Sequence, residues 1–136
     1  MTLQFSPKNN PRVIVIQKLY GKYYNKDENL TFPKHRFKKF IKDVVKGTIE
    51  RNDVINDEIS NHLYADLDLK KTDKVFQVIV KSAIFELLYK PKISSKIIIN
   101  EYLKASNFFI EDGQTKYLNA LLDKISKKLR NSNGWV

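Results

Sequence analysis

The chain has no cysteine, which excludes a disulfide framework and any thiolate metal site. A reducing, cytoplasmic setting is expected by default. Its two histidines, His35 and His62, are not spaced as metal ligands, so no metal is expected. With so few candidate groups, acid–base and covalent catalysis have little to work with. The four glycines form no phosphate-cradling loop, and neither a nucleophile elbow nor an H-E-x-x-H element occurs. There is no apolar run of about eighteen residues and no apolar leader at the start. Asp66-x-Asp68 with Asp73 is acidic like a calcium loop, but it lacks the loop glycine and the closing glutamate. Those residues are read as helix links and caps, and the chain as one that is not an enzyme and takes no cofactor.

At 136 residues and 42% hydrophobic, there is enough apolar material for a single domain over 1–136. Lysine and arginine total 25 against 15 aspartate and glutamate, a net charge of +10 that favours a polyanion through counterion release. A lysine-rich composition also arises with no ligand behind it, so the distribution says more than the total. Residues 1 to 51 hold 12 basic and 4 acidic side chains, whereas residues 52 to 68 hold no basic and 5 acidic ones. The basic surface is therefore local, and nucleic acid is the leading class of partner.

Pro7, Pro11, Pro33 and Pro91 fall where helices can begin or must stop, and none interrupts an apolar period. Between Pro11 and Tyr24 the apolar positions are Val13, Ile16, Tyr20 and Tyr23; between Pro33 and Glu50 they are Phe37, Ile41, Val44 and Thr48. Asn52 or Asp53 can cap a third helix with Ile55, Ile59 and Leu63, and Thr72 or Asp73 a fourth running to about Tyr89. The fourth is apolar nearly all round, as a helix surrounded by neighbours would be. Val75 to Val80 would also suit a strand, but the apolar run continues through Leu88 without a turn signal. Two further stripes follow, Ile98, Tyr102, Ala105 and Phe109, then Leu118, Leu121, Leu122, Ile125 and Leu129. The expected fold is all-α, a compact bundle of six to seven helices, with the tail from Asn131 fraying.

Three groups of polar residues remain to be explained. Lys8 and Arg12 precede a helix face bearing Gln17, Lys18 and Lys22, which is either a solvated face or a grip on phosphates. Phe109, the loop from Glu111 to Gln114, Lys116, Tyr117 and Asn119 set aromatic, cation and amide around one helix start. Those types suit unstacked RNA bases, although Phe109 and Tyr117 at helical spacing are equally suited to the core. Lys81 and Glu86 stand out on the apolar fourth helix. A buried unpaired carboxylate costs several kcal/mol, so Glu86 must be exposed, paired within the chain or offered to another protein.

Four elements in order resemble the signature of the NusB family of bacterial transcription antitermination factors. They are Gln17-Lys18-Leu19-Tyr20, Ala83-Ile84-Phe85-Glu86-Leu87 with Lys81 ahead of it, Ile99-Asn100-Glu101, and Lys116-Tyr117-Leu118-Asn119-Ala120-Leu121-Leu122-Asp123. The resemblance spans about residues 8 to 130. It implies a NusB-like bundle that pairs with the ribosomal protein NusE, binds boxA RNA of ribosomal RNA leader transcripts and helps load an antitermination complex on RNA polymerase. By the same resemblance, Lys8, Arg12, Gln17, Lys18, Tyr20, Phe109, Lys116, Tyr117 and Asn119 belong to the RNA site, and Lys81 and Glu86 to the NusE surface. The family's arginine run is reduced here to Lys8 and Arg12, Ala120 stands for its usual glycine, and the Glu111-Asp112 loop is acidic. Weak RNA binding without NusE is the expectation. An RNA cytosine methyltransferase fused to such a domain is not expected, since the catalytic cysteine and the cofactor loop are missing. A helical protein–protein adaptor with no specific RNA site remains the alternative.

Overall fold

The structure is a computed structural model describing residues 9–26, 29–62 and 72–131. Lys8, Leu63, Asp66, Asp68 and the residues after Asn131 lie outside the described residues. Six helices follow one another: α1 Pro11–Tyr24, α2 Lys38–Glu50, α3 Asn52–His62, α4 Lys74–Tyr89, α5 Ser95–Ser106 and α6 Asp112–Asn131. Among the described residues there is no strand, and no helix is long and apolar enough to cross a membrane.

Several helix ends have a visible local cause. Asn10 caps α1 by accepting the backbone N–H groups of Arg12 at 3.0 Å and Val13 at 3.4 Å, and Pro11 takes the first helical position, where its missing N–H costs nothing. Ser94 caps α5 through the N–H of Ile97. Gln114 folds back to accept the N–H of Glu111, half of a capping box at the start of α6. Pro91 follows directly on the C-cap of α4. At the end of α6, Arg130 donates to the carbonyls of Leu87, Lys90 and Ile93, which satisfies acceptors that the end of α4 leaves open.

α2 does not begin at Pro33. The chain turns at His35, whose Nδ1 accepts the N–H of Phe37 and whose carbonyl accepts that of Lys38, so the helix opens only there. Phe37 is consequently left exposed rather than buried with Ile41, Val44 and Thr48.

α4 packs against all five other helices, which is why it is apolar nearly all round. Phe76, Ile79, Val80, Ala83 and Ile84 lie at the centre of the core, with Ile16, Ile41, Ile98, Tyr102, Leu118 and Leu122 around them. The burial of α1 covers Arg12 to Ile16 and Leu19, then stops. Tyr20 and Tyr23, expected as the last two members of its buried stripe, emerge into solvent.

Gly47 is the point where α2 and α4 approach most demandingly. A Cβ there would overlap the ring of Phe85 at Cζ and Cε1. Gly47→Ala should therefore destabilise the chain by about 1–3 kcal/mol in urea unfolding, the usual cost of overpacking. An unchanged midpoint would show that the ring can move aside.

Candidate nucleic-acid interface

Gln17, Tyr20 and Tyr24 stand three and four residues apart, so they share one outward strip of α1, while Lys18 is half-buried beside Asn29, Leu30 and Thr31. The Tyr20 hydroxyl donates to that of Tyr24 at 3.4 Å, and the rings meet edge to face at 5.0 Å. This hydrogen bond raises the Tyr20 pKa, with Asp73 adding to the effect, so the group stays a neutral phenol. Tyr23 packs edge-on to Tyr24 and lies 4.8 Å under the Lys74 ammonium at the start of α4. The neighbouring Asp73 accepts the side-chain amide of Gln114, which ties the start of α6 to the start of α4. One turn further along α6, Tyr117 stacks on Phe76 with ring centroids 5.6 Å apart and planes 21° from parallel. Three helix ends thus form one surface whose rings remain open: Tyr20 is 36%, Tyr23 45%, Tyr24 65% and Tyr117 42% exposed. Lys116 is exposed beside it.

Not every expected residue joins this surface. Successive positions on a helix turn by about 100°, so Asn119 lies on the flank of α6 opposite Tyr117. It faces α5, in a shallow groove with Asn100, Lys96 and Asp123. Phe109 follows the end of α5 in a turn and packs half-buried against the core, whereas its neighbour Phe108 is the ring that reaches solvent. Ala120, where the resemblance has glycine, is exposed. Lys8 lies outside the described residues.

Arg12 and Glu86 require a correction. Neither is a surface group: Arg12 is 7% and Glu86 0% exposed. Arg12 donates from Nε and Nη2 to the two carboxylate oxygens of Glu86 at 3.0 and 2.6 Å, under the rings of Phe40 and Tyr102. Such charges can be buried only together, and the start of α1 meets α4 where Glu86 stands. Arg12 is therefore not available to a phosphate, nor Glu86 to a partner. Burial opposes the Arg12 charge, but the hydrogen bonds and charge of Glu86 outweigh it and raise its pKa. Lys81 points elsewhere and donates to Oδ1 of Asn52 on α3, with its pKa lowered by burial and by Lys74. The expected Lys81–Glu86 surface does not form.

Tyr102 is fully buried beside this pair, and its hydroxyl lies near Glu86 and Ser82 without forming a well-aligned hydrogen bond to either. Burial first, then the Glu86 charge, hold its pKa well above the ordinary phenol value. The folded pKa is raised, so this contribution is complete below the unfolded value near about 10 and is lost as pH rises through the folded one. Tyr102→Phe should change stability little at pH 7, since no well-aligned hydrogen bond is lost. It should also make the chain more resistant than the parent above about pH 10. Parallel unfolding curves of parent and variant across that range would contradict the buried phenol.

Sequence periodicity missed Tyr24 and Lys74, and it placed Tyr23 in the buried stripe rather than at the surface. A signal was present in the two adjacent tyrosines just before Asn25, at the end of a helix where no further apolar residue follows.

The NusB family model matches residues 7–127. The chain belongs to the NusB family. It is 33% identical over 122 residues to the transcription antitermination protein NusB of Rickettsia bellii, covering 88% of this chain and 78% of that protein. It is also 31% identical over 91 residues to the protein of the same name from Novosphingobium aromaticivorans, covering 67% and 62%. The solved structure of T. maritima NusB superposes with a TM-score of 0.75 at 23% identity, over 90% of this chain and 92% of that one. The all-helical NusB bundle expected from the sequence is thus the fold observed.

Proposed function

We propose that this NusB-family antitermination factor acts by binding alone. It holds a single-stranded boxA-type RNA of a ribosomal RNA leader, pairs with NusE, and so helps load an antitermination complex on RNA polymerase in the cytoplasm. The RNA reading is carried by the gathering of Tyr20, Tyr23, Tyr24 and Tyr117 at the surface beside Lys74 and Lys116. Open rings stack bases, at about 1–3 kcal/mol per base, while lysines take phosphates and the Gln17 amide suits base edges.

The partner reading is supported by a second surface, an apolar hollow of about 570 Å³ lined by Pro11, Phe37, Phe40, Ile93, Ile97 and Phe108. Ile97 and Phe108 are 53% and 43% exposed there, which suits a protein surface better than a polyanion. Arg12 forms part of its wall, so Glu86 acts on a docked partner only by holding Arg12.

Titration of a boxA strand alone and with NusE tests both readings. Affinity should fall with salt and rise when NusE is present, and identical affinity in both titrations would sink shared recognition. Phe108→Glu, a change at an exposed site, should remove the gain from NusE and leave binding of RNA alone intact. A pure protein adaptor would bind RNA in neither titration.

A further inference from the structure

The groove between α2 and α4 takes no part in either surface described above. Lys38, Lys39, Lys42 and Lys46 share one face of α2 and, with Arg51, Phe85 and Tyr89, line a hollow of about 770 Å³. Bare backbone at Gly47 lets the Phe85 ring form its floor. All four lysines are exposed, and none has an ion-pair partner among the described residues. Of the two carboxylates in the lining, Asp43 is matched by Lys90 at 3.5 Å, which leaves Glu50 against five cations. Arg51 lies 4.6 Å from the ring centre of Tyr89, which is itself 36% exposed.

This row is unfavourable for the free protein. The first turn of α2 contains no acidic residue but begins with Lys38 and Lys39, at the helix end whose partial charge repels cations. Lys38, Lys42 and Lys46 also repel one another at four-residue spacing. A bound polyanion relieves both costs.

We propose that this groove is a second RNA contact, which grips the phosphate backbone of the transcript beyond the segment held on the tyrosine surface. The inference rests on the RNA-binding reading. Lysines four apart place a cation about every 6 Å along the groove, a row suited to a backbone with one charge per unit. The exposed Arg51 guanidinium, which lies over Tyr89, can stack a base on its outer face. An acidic protein would need apolar anchors, and here Phe85 is 6% exposed. The groove lies at the Tyr89 end of α4 and the tyrosine surface at the Lys74 end, about 20 Å apart at 1.5 Å per residue. One strand can reach both.

The test compares two RNAs by fluorescence anisotropy: a boxA strand of about 10 nucleotides, and the same strand extended on both sides by about 10 more. The full chain is used as parent and as the triple variant Lys39→Gln, Lys42→Gln and Lys46→Gln, with arginine at the same positions as the charge-preserving control. The glutamine variant should weaken the extended RNA about tenfold or more and reduce its salt slope by about 2, since each phosphate contact on a single strand contributes about 0.7. It should leave the short strand unaffected, and the arginine variant should bind both RNAs as the parent does. Unchanged affinity and slope for the extended RNA would overturn the second contact, as would equal loss for both RNAs. A variant that keeps both RNAs but no longer binds poly-glutamate would assign the groove to an acidic protein instead. If the parent binds neither RNA, the RNA-binding reading itself fails, an outcome separate from these.

Discussion

Glu86→Ala should cost about 3–5 kcal/mol of stability, the largest effect expected of any single change here, because it strands the Arg12 guanidinium in the interior. Arg12→Ala should cost a similar amount for the converse reason. Arg12→Lys should not rescue it, since a single ammonium cannot reproduce the two-point contact with the carboxylate. Replacing both residues with apolar ones of similar volume, Arg12→Met with Glu86→Leu, should recover most of the loss, because neither charge is then buried alone. Urea unfolding of Arg12→Ala, Glu86→Ala and the two combined measures the coupling, and the Met–Leu pair measures the recovery. A loss below about 1 kcal/mol for Glu86→Ala is what an exposed pair would give, and it would return Glu86 to the surface as a partner contact.

The second large effect concerns RNA rather than stability. Tyr117→Ala should weaken the boxA strand by about 1–3 kcal/mol, roughly 5- to 150-fold, as loss of one stacked base predicts. Tyr24→Ala added to it should weaken binding further, since Tyr24 is the most exposed ring of the surface. Stability should fall only modestly, by about 0.5–1.5 kcal/mol, because Tyr117 is 42% exposed and its main aromatic contact is the stack on Phe76. Tyr117→Phe keeps the ring and should retain most binding. Unfolding of the alanine variant would make Tyr117 a core residue, and unchanged RNA affinity would remove it from the site.

The faces of α4, α5 and α6 were legible in the sequence because their apolar periods are long, and Pro91 marked the end of α4 through local backbone chemistry. α6 itself starts at Asp112, within the stretch from Glu111 to Gln114 expected as a loop, because the Gln114 side chain caps it there. The start of α2 was not legible. It depends on the His35 side chain accepting a backbone N–H, a choice that competes with helix and leaves no periodic trace. Similarly, α5 ends at Ser106, and the turn after it exchanges the expected roles of Phe108 and Phe109. The fifth stripe predicted the face but not where the helix stops.

The sequence by itself determined the helical class, the apolar centre at α4, the family and the short list of polar residues that packing did not account for. It also limited Glu86 to three fates, since charge burial costs the same wherever the residue falls. Only the tertiary structure chose among them, by bringing Arg12 from 74 positions away to 2.6 Å. The tyrosines were decided in the same way. Periodicity tells which side of α1 faces inward, but how far along that side neighbouring helices extend is a property of the packed bundle. Burial ends at Leu19, so Tyr20 and Tyr23 became surface, and only the packing of α1 and α6 on the start of α4 set Tyr23 under Lys74 and Tyr117 on Phe76.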